Sequence, residues 1–207
     1  MLRIVQDGAR HRDPLTYRRD AELLERALRA ETDPFRIARY TFYLAQSYRD
    51  CGQPEKAIDA YLRRAKLGFW DQEVFVSLYT AAQLKEARGE APEEVLRLYD
   101  EATRACPSRA EAAYRASRLC RLRNEFARGY AIAKPALALA APPDGLFVET
   151  WIYDYGLLDE FAVNAYWAGH YRECVDAVLR ALASGKVPTD EQKRFVENAR
   201  FALRKLL

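Results

Sequence analysis

The run Arg39-Tyr-Thr-Phe-Tyr-Leu-Ala-Gln-Ser-Tyr-Arg-Asp50 gathers side chains that bind rather than react. At helical spacing Arg39, Tyr43, Gln46, Arg49 and Asp50 fall on one stripe. Guanidinium forks, an amide, a carboxylate and a phenol ring suit a peptide or a sugar-like ligand, held by forked hydrogen bonds and ring stacking. Comparable residues recur downstream: Tyr79 and Gln83, then Glu111, Tyr114, Arg118 and Arg121, then Asp159, Glu160, Val163 and Tyr166. The alternative for each is a solvated helix face tied by i,i+4 ion pairs, with tyrosines satisfying their own hydroxyls.

Residues arranged for catalysis are missing from the sequence. It has no Gly-rich phosphate loop, no G-x-S-x-G turn and no H-E-x-x-H pair. The carboxylate pairs Asp159/Glu160 and Glu93/Glu94 are adjacent, so on a helix their side chains diverge and share no reacting atom. His11 and His170 stand at opposite ends of the chain, outside ligand spacing with Cys51, Cys106, Cys120 and Cys174. No metal, cofactor or enzymatic activity is expected. The cysteines lie far apart within helical patterns, which predicts reduced, mostly buried thiols and a cytoplasmic setting.

Charge narrows the partners further. The 33 basic and 30 acidic residues are mixed along the chain, without the basic stripe that a phosphate backbone attracts, so nucleic acid is not an expected partner. Met1 to Asp13 is charged throughout, unlike a signal peptide. The most apolar segment, Ala131 to Ala141, is interrupted by Lys134 and Pro135 and is too short for a membrane span.

The elements that must position these residues repeat. Val95, Tyr99, Ala102 and Pro107 follow the A-x3-F-x2-A-x4-P frame of a helix-pair repeat, with Val for the first small residue. Ala57 and Tyr61 repeat its start, although Arg64 stands where an alanine belongs. Gly129, Ala133 and Ala136 repeat it again, and Cys174, Val178 and Ala181 give a fourth copy, with Pro142 and Pro188 arriving late. Gly52, Asn124 and Gly169 each precede the crossing residue by five, as a left-handed helix end requires, while Gly89 precedes Val95 by six and marks an insertion. The crossing residues are 38, 34 and 45 apart. A period near 34 with insertions is that of tetratricopeptide repeats.

The expected fold is therefore all-α, a tetratricopeptide-like superhelix: a right-handed solenoid of antiparallel helix pairs with about ten helices. The spacing predicts helices near 14–30, 35–51, 54–67, 71–88, 92–105, 108–123, 126–140, 147–168, 171–184 and 189–206. Residues 1–12 read as a linker-like segment, 13–188 as the repeats and 189–207 as a capping helix. Asp13-Pro14 suits a helix start, and Thr189 with Gln192 resembles a capping box. The capping helix sets charged Glu191, Lys193, Arg194 and Glu197 against apolar Phe195, Ala199, Ala202 and Leu206. The first helix of each pair should line a concave face and carry the ligand-contacting residues. Trp70, Trp151 and Trp167 are expected in the core or in packing between repeats.

Several phrases are more specific than a plain repeat requires: Tyr17-Arg-Arg-Asp-Ala21, Arg39 to Asp50, Gly68-Phe-Trp-Asp-Gln-Glu-Val74, Pro107-Ser-Arg-Ala-Glu111 and Leu146-Phe-Val148. In this order they resemble the tetratricopeptide-like region that follows the catalytic domain in many bacterial glycosyltransferases of the GT-A, inverting type. The resemblance covers nearly the whole chain from Asp13 onward. It implies a partner that is a protein or peptide, including a glycosyltransferase catalytic domain, or else a glycan acceptor. A GT-A domain chelates metal through a D-x-D motif, and this sequence contains none. Transferase chemistry is therefore not expected from this polypeptide, and its oligomeric state is left open.

Overall fold

The computed structural model describes residues 15–207. The Asp13-Pro14 helix start, the linker-like residues 1–12 and His11 lie outside them. Among the described residues the fold is all-α, with ten α-helices. They are α1 (Thr16–Ala30), α2 (Pro34–Asp50), α3 (Pro54–Ala65), α4 (Asp71–Ala87), α5 (Pro92–Ala105), α6 (Glu111–Leu122), α7 (Phe126–Ala136), α8 (Leu157–Trp167), α9 (Tyr171–Ala183) and α10 (Thr189–Leu203). None is long and apolar enough to cross a membrane.

Local chemistry sets the helix ends. The Asp33 carboxylate accepts from the Phe35 and Arg36 amides at 2.8 and 3.1 Å, and Pro34 occupies the first turn, where no amide donor is needed. Left-handed Gly52 and Gly169 end α2 and α8, and Asn124, at φ 62°, does the same after α6.

Two predicted ends move furthest, and one predicted cap is absent. Helix α7 stops at Ala136 because Pro135 lies inside its final turn. The helix expected from 147 cannot begin there, since Phe147 sits in the left-handed region at φ 53°; a π turn over Ile152–Gly156 leads into α8 instead. The Thr189–Gln192 capping box does not form: Pro188 is the N-cap, and Gln192 Nε2 donates to the Val187 carbonyl at 3.2 Å.

The described chain forms two compact units, dividing after Ala91. In the first, α1 to α4 pack in succession around Phe42, Ala45, Ala57, Tyr61 and Phe75. Arg64 explains its own place in the repeat. Fully buried, it reaches Glu73 through Nε and Nη2 at 3.1 and 2.8 Å and the Gly68 carbonyl through Nη1 at 2.9 Å. An arginine thus fills an alanine position by pairing its charge and spending its donors.

In the second unit α5 to α10 pack in succession, with further α6–α8 and α8–α10 contacts, around Ile152, Phe161, Cys174, Val178 and Phe195. The crossing residues Ala57, Val95, Gly129 and Cys174 are all buried, as the repeat frame demands. Gly129 is there for space: a Cβ would collide with the Asn164 side chain, and the Gly129 carbonyl accepts from Ser117 Oγ at 2.9 Å.

None of the tryptophans is in the core, and Trp151 and Trp167 pack between helices instead. Trp167 is 63% exposed and stacks on Phe126 with centroids 5.5 Å apart, and Trp70 and Trp151 also keep substantial exposed area. Trp167 caps a helix end rather than filling the core. On α10, Phe195, Ala199 and Ala202 are buried as expected, but Leu206 lies beyond the helix and is exposed, as are Phe201 and Leu203.

Candidate ligand-binding groove

The first unit carries a cavity of about 370 Å³ between α1 and α2, with polar groups set in a mostly apolar lining. Helix α2 contributes Tyr43, Gln46, Ser47 and Asp50, and α1 contributes Tyr17, Asp20, Leu23 and Leu24. Both sets repeat at three and four residues, so each helix turns one stripe toward the cavity. Of the sequence-predicted stripe, Tyr43, Gln46 and Asp50 line it, and two others flank it. Arg49 Nε donates to Asp50 Oδ1 at 2.7 Å at the rim. Arg39 instead leans along α2, with its guanidinium 4.9 Å from the Tyr43 ring centre, donating to the Tyr43 hydroxyl and paired with buried Glu73. Two guanidiniums, from Arg39 and Arg64, thus share the Glu73 carboxylate.

The α1 half of this cavity, Tyr17, Asp20, Leu23 and Leu24, was not among the residues predicted from sequence. The signal was present: Tyr17, Asp20 and Leu24 are spaced as a second helical stripe. A more open depression of about 660 Å³ lies on another side of α2, with Ile37, Leu44 and Tyr48 at its base and the stems of Lys56 and Arg63 at its margin. Tyr48 donates there to Glu25, so its polar group is already used by the fold.

In the second unit the predicted residues come together as structure. Glu111 is 0% exposed, which corrects its assignment to a ligand-contacting face. Its carboxylate accepts from Arg109 Nε at 3.0 Å, Arg109 Nη2 at 2.8 Å and the Tyr153 hydroxyl at 2.7 Å. The Glu149 amide adds a donor at 3.3 Å, and Arg109 Nη1 reaches the Leu146 carbonyl at 3.0 Å. The pair thereby ties the start of α6 to the loop before α8.

Glu160 is likewise buried and corrected. It accepts from Arg121 Nε at 2.7 Å and Asn164 Nδ2 at 3.1 Å. Burial pushes its carboxyl above the ordinary glutamate value, against the lowering effect of Arg121. Asp159 holds the last helix through two bonds from Arg194, at 2.9 and 2.8 Å. Tyr114 is half-buried edge-on to Trp151 at 5.1 Å, and burial raises its phenol, with the Glu160 charge adding to the effect. Arg118 is half-buried near them. Val163 and Tyr166 instead line an apolar cavity of about 370 Å³ with Trp167 and Phe201.

With this geometry in place, comparison with solved structures gives the fold. The chain resembles the crystal structure of MamA at TM-score 0.62 and 13% identity, over 89% of this chain and 97% of that one. BtubC (BKLC) from P. vanneervenii matches at TM-score 0.62 and 15% identity, over 97% of this chain and 85% of that one. TPR-like repeats of a kinesin light chain from Podosopora anserina match at TM-score 0.55 and 15% identity, over 82% and 87%. The fold is tetratricopeptide-like. No protein-family model matches the sequence, and no curated protein matches it. At these identities the tetratricopeptide-like neighbours fix architecture alone, and the residues of the groove are this chain's own.

Proposed function

We propose that this chain is a non-catalytic interaction scaffold that holds a protein or peptide partner in the α1–α2 groove of its first unit, in association with a bacterial glycosyltransferase. The observation that carries the reading is the cavity itself, where Tyr43, Gln46 and Asp50 converge with an unforeseen set from α1. Of the predicted residues in the second unit, Glu111, Asp159 and Glu160 are engaged in holding helices together, which favours the first unit as the place of binding. Tetratricopeptide-like architecture supports a partner-binding role, and the glycosyltransferase association rests on the resemblance of the Arg39–Asp50 and Gly68–Val74 phrases. Cytoplasmic placement belongs to the same proposal, on the pattern of separated, mostly buried cysteines.

A second reading has one observation in its favour. An amide, a carboxylate and tyrosine rings around a cavity of this size also suit a glycan acceptor. Capture of partners and a glycan array, each run with wild type and with Arg39→Ala/Arg49→Ala, separate the two. Loss of a protein partner in the variant supports the scaffold, loss of a glycan signal supports the acceptor reading, and identical profiles for both proteins remove the α2 stripe from either role. A nucleotide-sugar hydrolysis assay on the purified chain is expected to read background, and turnover lost on mutating groove residues would refute the non-catalytic assignment.

A further inference from the structure

We infer that the depression between α1 and α3 receives an acidic, amphipathic helical segment of a protein partner. It uses a different face of α2 from the α1–α2 cavity, so this inference and the groove reading stand or fall separately. Helix α2 forms the base, with Ile37, Leu44 and Tyr48 on one helical stripe, and Leu28 and Leu67 extend the apolar lining on either side. From Ile37 to Tyr48 the base runs about 16 Å, or about three helical turns. A trough of this length, parallel to its flanking helices and apolar along its floor, fits the apolar face of an added helix.

Charge names the guest, and the second unit supplies the contrast. Two depressions of the same kind occur there, of about 550 Å³ between α5 and α7 and about 420 Å³ between α7 and α9, against about 660 Å³ here. Each is laced across by its own ion pairs. Arg128 of α7 reaches Glu93 of α5 through two bonds, at 2.8 and 2.9 Å, and Lys134 of α7 meets Glu173 of α9 at 3.0 Å. Among the described residues no such bridge joins α1 to α3. Glu25 of α1 instead turns down to accept from the Tyr48 hydroxyl and faces Arg29 of its own helix at 3.8 Å. The bases of α3 are left over: Lys56 lies 5.3 Å from the Tyr48 ring centre and Arg63 donates to Thr41 Oγ1 at 3.1 Å, but neither has a carboxylate partner among the described residues. Asp59 stands one turn from each, pairs with neither, and leaves this edge of the trough with a net positive charge. Carboxylates beside the apolar face of a guest helix supply the acids that α1 does not, whereas a basic guest would meet Arg29, Lys56 and Arg63 together.

The test uses the full chain and synthetic peptides of about 15 residues, in which leucines at helical spacing are flanked by glutamate, by glutamine or by lysine. Fluorescence anisotropy should give Kd about 10–100 μM for the glutamate peptide and binding at least about fivefold weaker for the other two. Lys56→Gln/Arg63→Gln should weaken the glutamate peptide about three- to tenfold and leave the glutamine peptide unchanged, while Asp59→Asn should tighten the glutamate peptide about twofold. Lys56→Gln alone, which removes no hydrogen bond of the fold, serves in its place should circular dichroism show that the double variant has lost helix. Amide NMR shifts on titration should fall in residues 25–29 and 56–67. The inference fails if the glutamine or lysine peptide binds as tightly as the glutamate one, or if neither Lys56→Gln nor the double variant weakens it. It fails equally if the glutamate peptide does not bind at about 1 mM, or if phosphatidylserine vesicles bind in its stead. Shifts confined to residues 17–24 and 46–50 would also overturn it, placing the peptide in the α1–α2 cavity and leaving the groove reading intact.

Discussion

Replacing Glu111 with Gln removes the charge that compensates Arg109 while keeping nearly the same shape. In the folded protein the Arg109 side chain is 1% exposed, and its Nε and Nη2 both point at the Glu111 carboxylate. An amide offers one oxygen where the carboxylate offered two, and turns an NH2 group toward the Tyr153 hydroxyl or a guanidinium donor. Breaking a buried pair from one side costs about 3–5 kcal/mol, because a buried charge is left without its partner. For a chain of this length about 1 kcal/mol shifts Tm by about 2–4 °C, so a fall of about 10 °C is expected. Urea titration followed by circular dichroism at 222 nm gives the free energy directly. Asp159→Asn supplies the contrast: it cuts a partly exposed bridge to Arg194 and should cost about 1 kcal/mol or less. If Glu111→Gln loses less than about 1 kcal/mol, the structural account of this pair is wrong and Glu111 returns to the list of ligand contacts.

Three further outcomes follow from the same geometry. The Glu160 carboxyl is raised by burial, so the folded state binds its proton more tightly than the unfolded chain does; its contribution is present below the unfolded value and is lost as pH rises through the folded one, and Glu160→Gln should flatten the decline in stability measured by urea titrations from pH 4.5 upward. Gly129→Ala should destabilise by about 1–3 kcal/mol through collision with Asn164, and Gly129→Ala/Asn164→Ala should cost less than the two single changes added together, while strict additivity in denaturation would refute that contact. Burial pushes the Cys120 and Cys174 thiols to about 11, so a thiol-specific dye at pH 8 should label half-buried Cys51 first and reach those two only on unfolding; labelling all at one rate in the folded protein would contradict their burial.

The helices were legible because the sequence marks them twice, by small residues at each crossing and by Gly52, Asn124 and Gly169 at helix ends. Where a local rule competes with the pattern, the boundary moved. Pro135 shortens α7, and left-handed Phe147 delays the start of α8. The candidate site was half legible. Spacing on α2 found Tyr43, Gln46 and Asp50, but a cavity between helices needs both walls, and the partner stripe on α1 belongs to no repeat. Periodicity also could not separate Glu111 and Glu160 from surface carboxylates. Whether an acid on a helix faces solvent or a buried guanidinium depends on Arg109 and Arg121 reaching it through tertiary packing. Sequence left Trp167 between core and inter-repeat packing, because a large apolar ring favours burial on average; the structure has it closing the end of α8 against Phe126.

Hydrogen exchange of the full chain, free and saturated with a captured protein or peptide partner, tests the scaffold assignment most directly. Slowed exchange should concentrate in residues 17–24 and 43–50, where α1 and α2 enclose the cavity, and Arg39→Ala/Arg49→Ala should lose that protection along with the partner. Unchanged exchange across both stretches, with protection appearing instead around Tyr166, Trp167 and Phe201, would contradict the account and move the binding site to the second unit.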